Sequence, residues 1–250
     1  MSLKKIRMID IVKKQYVYKL RAYTQVFISL IFIQLLAILF SLNGVGMMGS
    51  SSTNLKIEVH YYSADLVVGF TMLWGFITAI LITTKAHRNI DFPFVTNRLS
   101  SNLSNLLFLL TVSFAGGMTA VMSIFPIKLI MYYLMDSVLV KSVSIVGSPF
   151  EFLLGIFTTT FYVFLFCAIG YFVGTLVQIN KVFAGLLPGL FLGSLYFDGV
   201  VRGKDGVVAY FFQLIFSEPS LPLFMIKVII IAGLFLIGSF TLSNRMEVRQ

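Results

Sequence analysis

The sequence predicts an all-α integral membrane protein with six transmembrane helices, an N-terminal interfacial helix and a short extracellular re-entrant segment before the last helix. Hydrophobic residues make up 58% of the 250 residues and charged residues 12%, and the mean hydropathy is +0.94. Soluble domains carry about 25% charged residues, so this chain has too few charges to cover a surface in water. Apolar runs recur at the length of about 20 residues with which a helix crosses the hydrocarbon core. They lack the alternation of barrel strands, so helices must pair the backbone groups in lipid.

The N-terminal segment, residues 1–21, carries seven of the 19 Lys and Arg residues of the chain. At about 100° per residue, a helix drawn over residues 4–21 has an apolar stripe on one side and a basic stripe on the other. The apolar stripe consists of Ile9, Val12, Tyr16 and Leu20, and the basic stripe of Arg7, Lys14 and Arg21. This periodicity predicts an interfacial helix whose basic side faces anionic lipid. The alternative is a frayed basic flank of the first span.

Six apolar runs predict the membrane spans. They cover approximately residues 22–42, 63–84, 104–126, 151–176, 182–197 and 221–243. The fifth run is short and rich in glycine. Between the fifth and sixth runs, residues 207–216 are apolar but too short to cross the membrane. Gly206 precedes them and two prolines follow, so residues 198–220 are predicted to form a short re-entrant or interfacial segment.

The distribution of Lys and Arg predicts the orientation of the spans. Residues 1–21 carry seven, residues 85–103 carry three, Lys181 adds one and the C-terminal tail adds two, which puts thirteen on the side of the N-terminus. The opposite side receives five. Because basic residues accumulate in cytoplasmic loops, both termini and residues 85–103 are expected in the cytoplasm. Residues 198–220 are then expected outside the cell membrane.

The sequence lacks common motifs of catalysis. It has no phosphate-binding G-x-x-x-x-G-K-[ST] loop, no H-E-x-x-H and no G-x-S-x-G, so the chain lacks the usual residues for ATP hydrolysis, zinc proteolysis and serine hydrolysis. His60 and His87 fall in loops predicted on opposite sides of the membrane and cannot share a metal. We therefore expect no catalytic residue, metal or cofactor in this chain. Its basic residues flank spans, which indicates orientation and not nucleic-acid binding.

Ionisable residues near the spans give little support for ion-coupled transport. Asp65 lies near the outer end of the second span, Glu151 at the start of the fourth and Lys227 in the outer third of the sixth. Ion-coupled transporters usually need such groups near the bilayer midplane, and none of the three is central. Snorkelling to the interface is the simpler interpretation of each. Cys167 is the single cysteine and has no disulfide partner within the chain.

Two series of glycines predict close helix packing. Gly170 and Gly174 share one face of the fourth span, and Gly185, Gly189 and Gly193 share one face of the fifth. Glycines four residues apart let another backbone approach closely. The glycine face packs either within one subunit, against a second subunit, or along a translocation pathway.

The second span carries a mixed polar and aromatic face. Thr71, Trp74 and Thr78 follow the i, i+3, i+7 spacing of one helix face. Hydroxyls beside an indole suit a wall that contacts amphipathic cargo. Alternatively, the threonines bond carbonyls of their own helix.

The loop after the second span, residues 85–103, interrupts the apolar pattern. It contains the sequence KAHRNIDFPFVTNRLSSN, in which Phe92 and Phe94 lie between Arg88 and Arg98. Interface cores favour aromatic residues and arginine, so this segment is a candidate docking site for another protein. The alternative is a surface loop that buries its two phenylalanines among lipid headgroups.

The chain combines a basic interfacial helix, six spans, a structured loop after the second span and a short apolar segment before the last. This combination resembles the membrane subunit of ABC transporters of the ABC-2 (type V exporter-like) permease family. The resemblance implies an elbow helix at residues 4–21, a coupling helix within residues 88–102 and an extracellular re-entrant hairpin at about residues 199–220. It also implies that spans two and five lie at the dimer interface and pathway. That would give roles to Trp74 and to the glycine face of the fifth span.

The function implied by the resemblance is that of a permease subunit in an ATP-driven exporter of a hydrophobic or amphipathic substrate, such as a peptide, lipid or drug. The expected partners are separate ATPase subunits, which would bind ATP and Mg²⁺, a second permease subunit, identical or paralogous, and membrane lipid. Arg88, Phe92, Phe94 and Arg98 would dock the ATPase. The alternatives are a stand-alone secondary transporter or channel, and a membrane sensor or immunity protein that transports nothing.

Overall fold

The computed structural model of the chain describes a set of residues that covers most of the sequence. These are residues 7–42, 46–52, 55–61, 63–84, 87, 98–134, 148–202, 206–218 and 220–245. Within them, six helices are long and apolar enough to cross a membrane. The predicted fold class, an all-α integral membrane protein with six spans, is confirmed.

The helices follow the predicted order. They are α1 (Met8–Ala22), α2 (Thr24–Ser41), α3 (Asp65–Thr83), α4 (Arg98–Met122), α5 (Ile124–Leu134), α6 (Pro149–Ile179), α7 (Phe183–Phe197), a π-helix (Asp198–Arg202), α8 (Val207–Phe216) and α9 (Leu221–Arg245). The first, second, fourth, fifth and sixth spans agree with their predicted bounds to within about three residues, because each apolar run is long enough to cross on its own. α1 forms the predicted N-terminal helix and α8 the predicted short helix before the last span.

A β-hairpin between the first two spans was not predicted. Strand β1 (Gly46–Ser52) pairs antiparallel with β2 (Leu55–Tyr61), from Gly46 opposite Tyr61 to Ser52 opposite Leu55. Strand β2 alternates apolar and polar residues, whereas β1 consists of glycine, methionine and serine. Of the two strands, only β2 therefore has the alternating pattern that predicts a strand.

The third span begins earlier than predicted. Residues 98–103, which were assigned to the cytoplasmic loop, form the first turns of α4 instead. Ser123 alone separates α4 from α5, and its hydroxyl donates to the carbonyl of Ala120 at 2.6 Å. At about 1.5 Å per residue, α4 by itself extends roughly 38 Å and exceeds the ~30 Å hydrocarbon core. The polar residues at the start of α4 account for this extra length, because a polar helix end can project from the hydrocarbon into the headgroup layer.

α6 forms the centre of the bundle, with α3, α4 and α9 packed around it. Glycines allow this contact. A Cβ atom added to Gly170 would lie 3.0 Å from the Cα atom of Phe76, and one added to Gly174 would lie 3.0 Å from the Cα atom of Ile80. The predicted close approach at Gly170 and Gly174 is therefore confirmed, and it occurs between α6 and α3 of the same chain.

The helix directions bring several ends together. α4 runs antiparallel to α6, whereas α3 and α9 run parallel to it. Asn105 near the start of α4 bonds Tyr171, and Ser239 near the end of α9 bonds Thr175, both in the last third of α6. α1, the start of α4 and the last turns of α6 and α9 therefore lie at one end of the bundle. The β-hairpin connects the far ends of α2 and α3 and lies at the opposite end.

Candidate functional site

The inner face of α1 packs on α4. Val12, Gln15, Lys19 and Tyr23, spaced three to four residues apart, are all less than 5% exposed. This face is rotated from the predicted apolar stripe, of which Ile9 is 76% exposed. The stripe assumed a helix facing lipid alone, whereas α1 turns its most buried side toward another helix.

A buried polar cluster fastens α1 to α4 and α6. The Lys19 ammonium donates to Ser104 Oγ at 2.8 Å and to Asn105 Oδ1 at 2.5 Å. Asn105 Nδ2 donates to the Tyr171 hydroxyl at 3.2 Å, and that hydroxyl donates to Asn102 Oδ1 at 3.1 Å. We call Lys19, Asn102, Ser104, Asn105 and Tyr171 the polar cluster. A buried ammonium is costly unless it is hydrogen-bonded, and these contacts offset that cost.

The polar cluster lies where α4 changes character. Six of the eight side chains in residues 98–105 are polar, whereas Thr111 is the single polar residue in residues 106–112. Such a change along a spanning helix marks the boundary between the headgroup layer and the hydrocarbon. The polar cluster therefore lies at the membrane surface, at the end of the bundle where α1 lies.

Gln15 differs from its neighbour one turn away. Its side chain is fully buried, and neither its Oε1 nor its Nε2 atom has a hydrogen-bond partner in the described part of the chain. Lys19 occupies the next position on the same helix face and is fully engaged in the polar cluster. A buried amide without partners lowers stability, because it has lost its water and gained nothing in exchange.

His87 ties the start of the predicted docking segment to the same end of the bundle. The Tyr23 hydroxyl donates to the His87 carbonyl at 3.1 Å, and the two rings lie 5.1 Å apart. Tyr23 also meets Phe108 of α4 edge-on at 5.3 Å. The Thr84 hydroxyl lies 3.1 Å from His87 Nδ1. Partial burial lowers the pKa of His87 below its usual value, so its neutral form is favoured.

The predicted docking residues lie mostly outside the described part of the chain. Arg88, Phe92 and Phe94 fall among the residues whose structure is not described. Arg98 is the first residue of α4. The two described flanks of this segment, His87 and the start of α4, both lie beside α1 and the polar cluster. The described residues on the two sides of residues 88–97 therefore lie at the end of the bundle where α1 lies.

The polar face of the second span lies inside the bundle. Thr71, Trp74 and Thr78 are 0%, 5% and 3% exposed. The Thr71 hydroxyl donates to the Val67 carbonyl of its own helix at 2.7 Å, which is the second of the two predicted interpretations. Gln34 of α2 donates to Thr71 Oγ1, and Trp74 Nε1 donates to the Ser29 hydroxyl of α2 at 2.9 Å. A role for this face along a pathway stays a prediction and requires α2 to move away.

The glycine face of the fifth span is open. Among the residues that the structure describes, none lies within 4 Å of a Cβ atom added to Gly185, Gly189 or Gly193, and none buries a residue of α7. In its most apolar stretch 6% of the residues are buried, against 22% to 44% in the other five spans. α7 is thus the span that the rest of the described chain covers least.

α8 is held against the middle of α6 by aromatic contacts. Tyr162 stacks on Phe216 with ring centroids 5.1 Å apart and also contacts Phe224 at 4.7 Å. Tyr162 lies thirteen residues after Pro149, the first residue of α6, or about 20 Å along the helix. The turn between α8 and α9 therefore lies alongside the middle of α6, as a re-entrant segment requires.

Charged groups hold both ends of α8. The Asp198 carboxylate accepts a hydrogen bond from the Val208 amide at the start of the helix, at 2.5 Å. After the end of the helix, Glu218 forms an ion pair with Lys227 of α9. Lys227 is thus paired within the protein and does not extend alone to the interface.

Sequence reasoning missed the polar cluster and Glu218. Lys19 was one of seven basic residues near the N-terminus, Asn102 was assigned to the cytoplasmic loop, and Asn105 was read as part of the apolar run of the third span. One signal was present: Asn102, Asn105 and Leu109 follow the i, i+3, i+7 spacing of one helix face, which predicts that α4 begins before its apolar run. Comparisons of this chain with protein-family models, with curated proteins and with solved structures gave no match.

Proposed function

We propose that this chain is the permease subunit of an ATP-driven transporter of the ABC-2 kind. It pairs with a second permease subunit and with two separate ATPase subunits, and it exports a hydrophobic or amphipathic compound across the cell membrane. Both termini lie in the cytoplasm, as the distribution of Lys and Arg indicates. The chain performs no bond chemistry, and ATP and Mg²⁺ are bound by the partners.

The open glycine face of α7 is the observation that carries the proposal. Helices in lipid associate through close packing, and small residues four apart are a typical contact surface. Gly170 and Gly174 already use this device within the chain, against α3. Gly185, Gly189 and Gly193 present the same pattern, and no described residue packs against it. A second permease subunit, packed on this face, completes the arrangement and leaves the pathway between the two subunits.

The surroundings of residues 85–97 support a mechanical role for this segment. His87 contacts Tyr23 at the end of α1, and α4 starts directly after the segment. The polar cluster then links α1 and α4 to Tyr171 in α6, the central helix. A push on this segment by an ATPase would reach three helices through hydrogen bonds, because packed elements move as units.

The test is to replace Phe92 and Phe94 by aspartate and to purify the tagged protein from its native membrane. We expect the wild type to carry an ATPase whose ATP turnover in proteoliposomes depends on the permease, and the double variant to lose both the ATPase and the turnover. Phe150→Asp is the control, since Phe150 is 71% exposed at the opposite end of the bundle. Retention of the ATPase with unchanged turnover in the double variant contradicts the docking role. Solute movement in liposomes by the purified chain without ATP indicates a stand-alone transporter.

A further inference from the structure

The outer face of α1 carries basic side chains that pair with no acidic side chain of the described residues. Lys13, Lys14 and Arg21 are exposed, as is Arg7 directly before the helix, and none forms an ion pair with a described residue. Asp10 is the one acidic residue in α1. Four cations against one anion leave a surplus of positive charge on a helix whose other face is fixed to α4. We call Arg7, Lys13, Lys14 and Arg21 the basic face.

The depth of α1 places the basic face at the membrane surface. Tyr23 alone separates α1 from α2, which spans the membrane, so the last turn of α1 cannot leave the surface. Lys19 contacts Ser104 and Asn105, at the boundary between the polar and the apolar part of α4. A helix fixed at that level has the phosphate groups of the lipid as its nearest anions.

We infer that the basic face of α1 binds the headgroups of anionic phospholipids. Lys and Arg side chains beside a membrane each add to the attraction for acidic lipid. Lys19 lies on the opposite side of the same helix and fixes α1 to α4. A lipid bound to the basic face holds α1 from its other side and so stabilises this contact. The protein thus has a lipid site that strengthens the join between its N-terminal helix and the bundle. This inference does not depend on an ATPase partner.

Lipid fits the basic face better than an acidic protein does. Val17 lies among the basic residues on the outer side of α1 and is 39% exposed, and Ile9 on the flank is 76% exposed. Apolar side chains mixed with cations are typical of helices that insert into the boundary between headgroups and acyl chains.

The experiment uses a fluorophore on α1 and spin-labelled lipid as quencher. Val17→Cys introduces the reactive thiol, because the native Cys167 is fully buried and does not react in the folded protein. The labelled protein is reconstituted in phosphatidylcholine vesicles that contain spin-labelled phosphatidylglycerol or, at equal mole fraction, spin-labelled phosphatidylcholine. We expect about threefold stronger quenching by the anionic lipid, and a smaller difference at high salt.

Variants assign the effect to the basic face. Replacing Lys13, Lys14 and Arg21 by glutamine should make the two lipids quench equally. Lys181→Gln is the matched control, since Lys181 is exposed near the end of α6 at the same end of the bundle, and it should keep the preference. The resistance of Cys167 to thiol reagents verifies that each variant is folded. Equal quenching by the two lipids in the otherwise wild-type protein, or a preference that survives the triple substitution, overturns the inference.

Discussion

At the residue scale, Gln15 and Lys19 show how partners decide the value of a buried polar group. Both lie on the inner face of α1, one helical turn apart, and both are at most 1% exposed. The Lys19 ammonium has hydrogen-bond acceptors on α4, whereas the Gln15 amide has no partner among the described residues. The ammonium carries the larger desolvation cost, yet its hydrogen bonds offset that cost and hold α1 against α4.

Substitution by methionine should therefore have opposite effects at these two positions. Lys19→Met leaves the Asn105 carbonyl oxygen without its donor and should lower the free energy of unfolding by about 1–3 kcal/mol. Gln15→Met keeps the volume and removes two unpaired atoms, so it should raise that free energy by about 1–2 kcal/mol. The measurement is the temperature at which Cys167 becomes reactive to a thiol dye, because this thiol is fully buried until the bundle opens. Equal shifts in one direction contradict this account.

At the element scale, the spans were predictable and the functional contacts were not. A run of about 20 apolar residues predicts a span by itself, because the bilayer imposes that length. The start of α4 escaped prediction because residues 98–103 read as a loop, whereas Asn102 in this stretch is bonded to Tyr171 of α6. Lys19 could not be told from Lys14 by charge or by local pattern. Lys19 differs from Lys14 because it faces α4, and this contact between helices cannot be read from one sequence.

The helix α8 illustrates an element held by its ends. It has ten residues, too few to be stable in isolation. Asp198 caps its start, Tyr162 packs against Phe216 near its end, and the ion pair of Glu218 with Lys227 fixes the turn that follows. The position of α8 therefore depends on a few identifiable side chains.

Breaking the ion pair should loosen α8. Glu218→Gln and Lys227→Met should each speed amide hydrogen exchange in residues 207–216. The double variant should destabilise α8 by less than the sum of the two single variants. We expect a coupling energy of up to about 1 kcal/mol, since the Lys227 side chain is 37% exposed and solvent screens part of the attraction. Hydrogen exchange followed by mass spectrometry measures all three variants. Strictly additive effects would show that the two charges act separately.

At the scale of the whole molecule, packing is uneven around α6. α3 and α4 approach it through glycine contacts, whereas α7 remains open along its glycine face. The close packing of α3, α4 and α9 on α6 contrasts with a glycine face on α7 that the described residues leave uncovered. This unevenness supports a paired permease more directly than any single motif does.

A leucine at each glycine face separates packing within the chain from packing between chains. Gly170→Leu should destabilise the monomer by about 1–3 kcal/mol or more, because its Cβ atom would meet the backbone of α3. Gly189→Leu meets open space and should leave the thermal reactivity of Cys167 unchanged, yet reduce the dimer fraction at least tenfold if the face forms the subunit contact. Crosslinking in native membranes measures the dimer. A fully retained dimer in Gly189→Leu removes α7 from the interface.

The position of Trp74 gives the protein a built-in optical reporter. Trp74 is the only tryptophan in the chain, and its indole donates a hydrogen bond from α3 to Ser29 on α2. Separation of these two helices would change the polarity around the indole and shift the wavelength of its fluorescence emission. The fluorescence of the unlabelled protein can therefore report whether the α2–α3 contact opens.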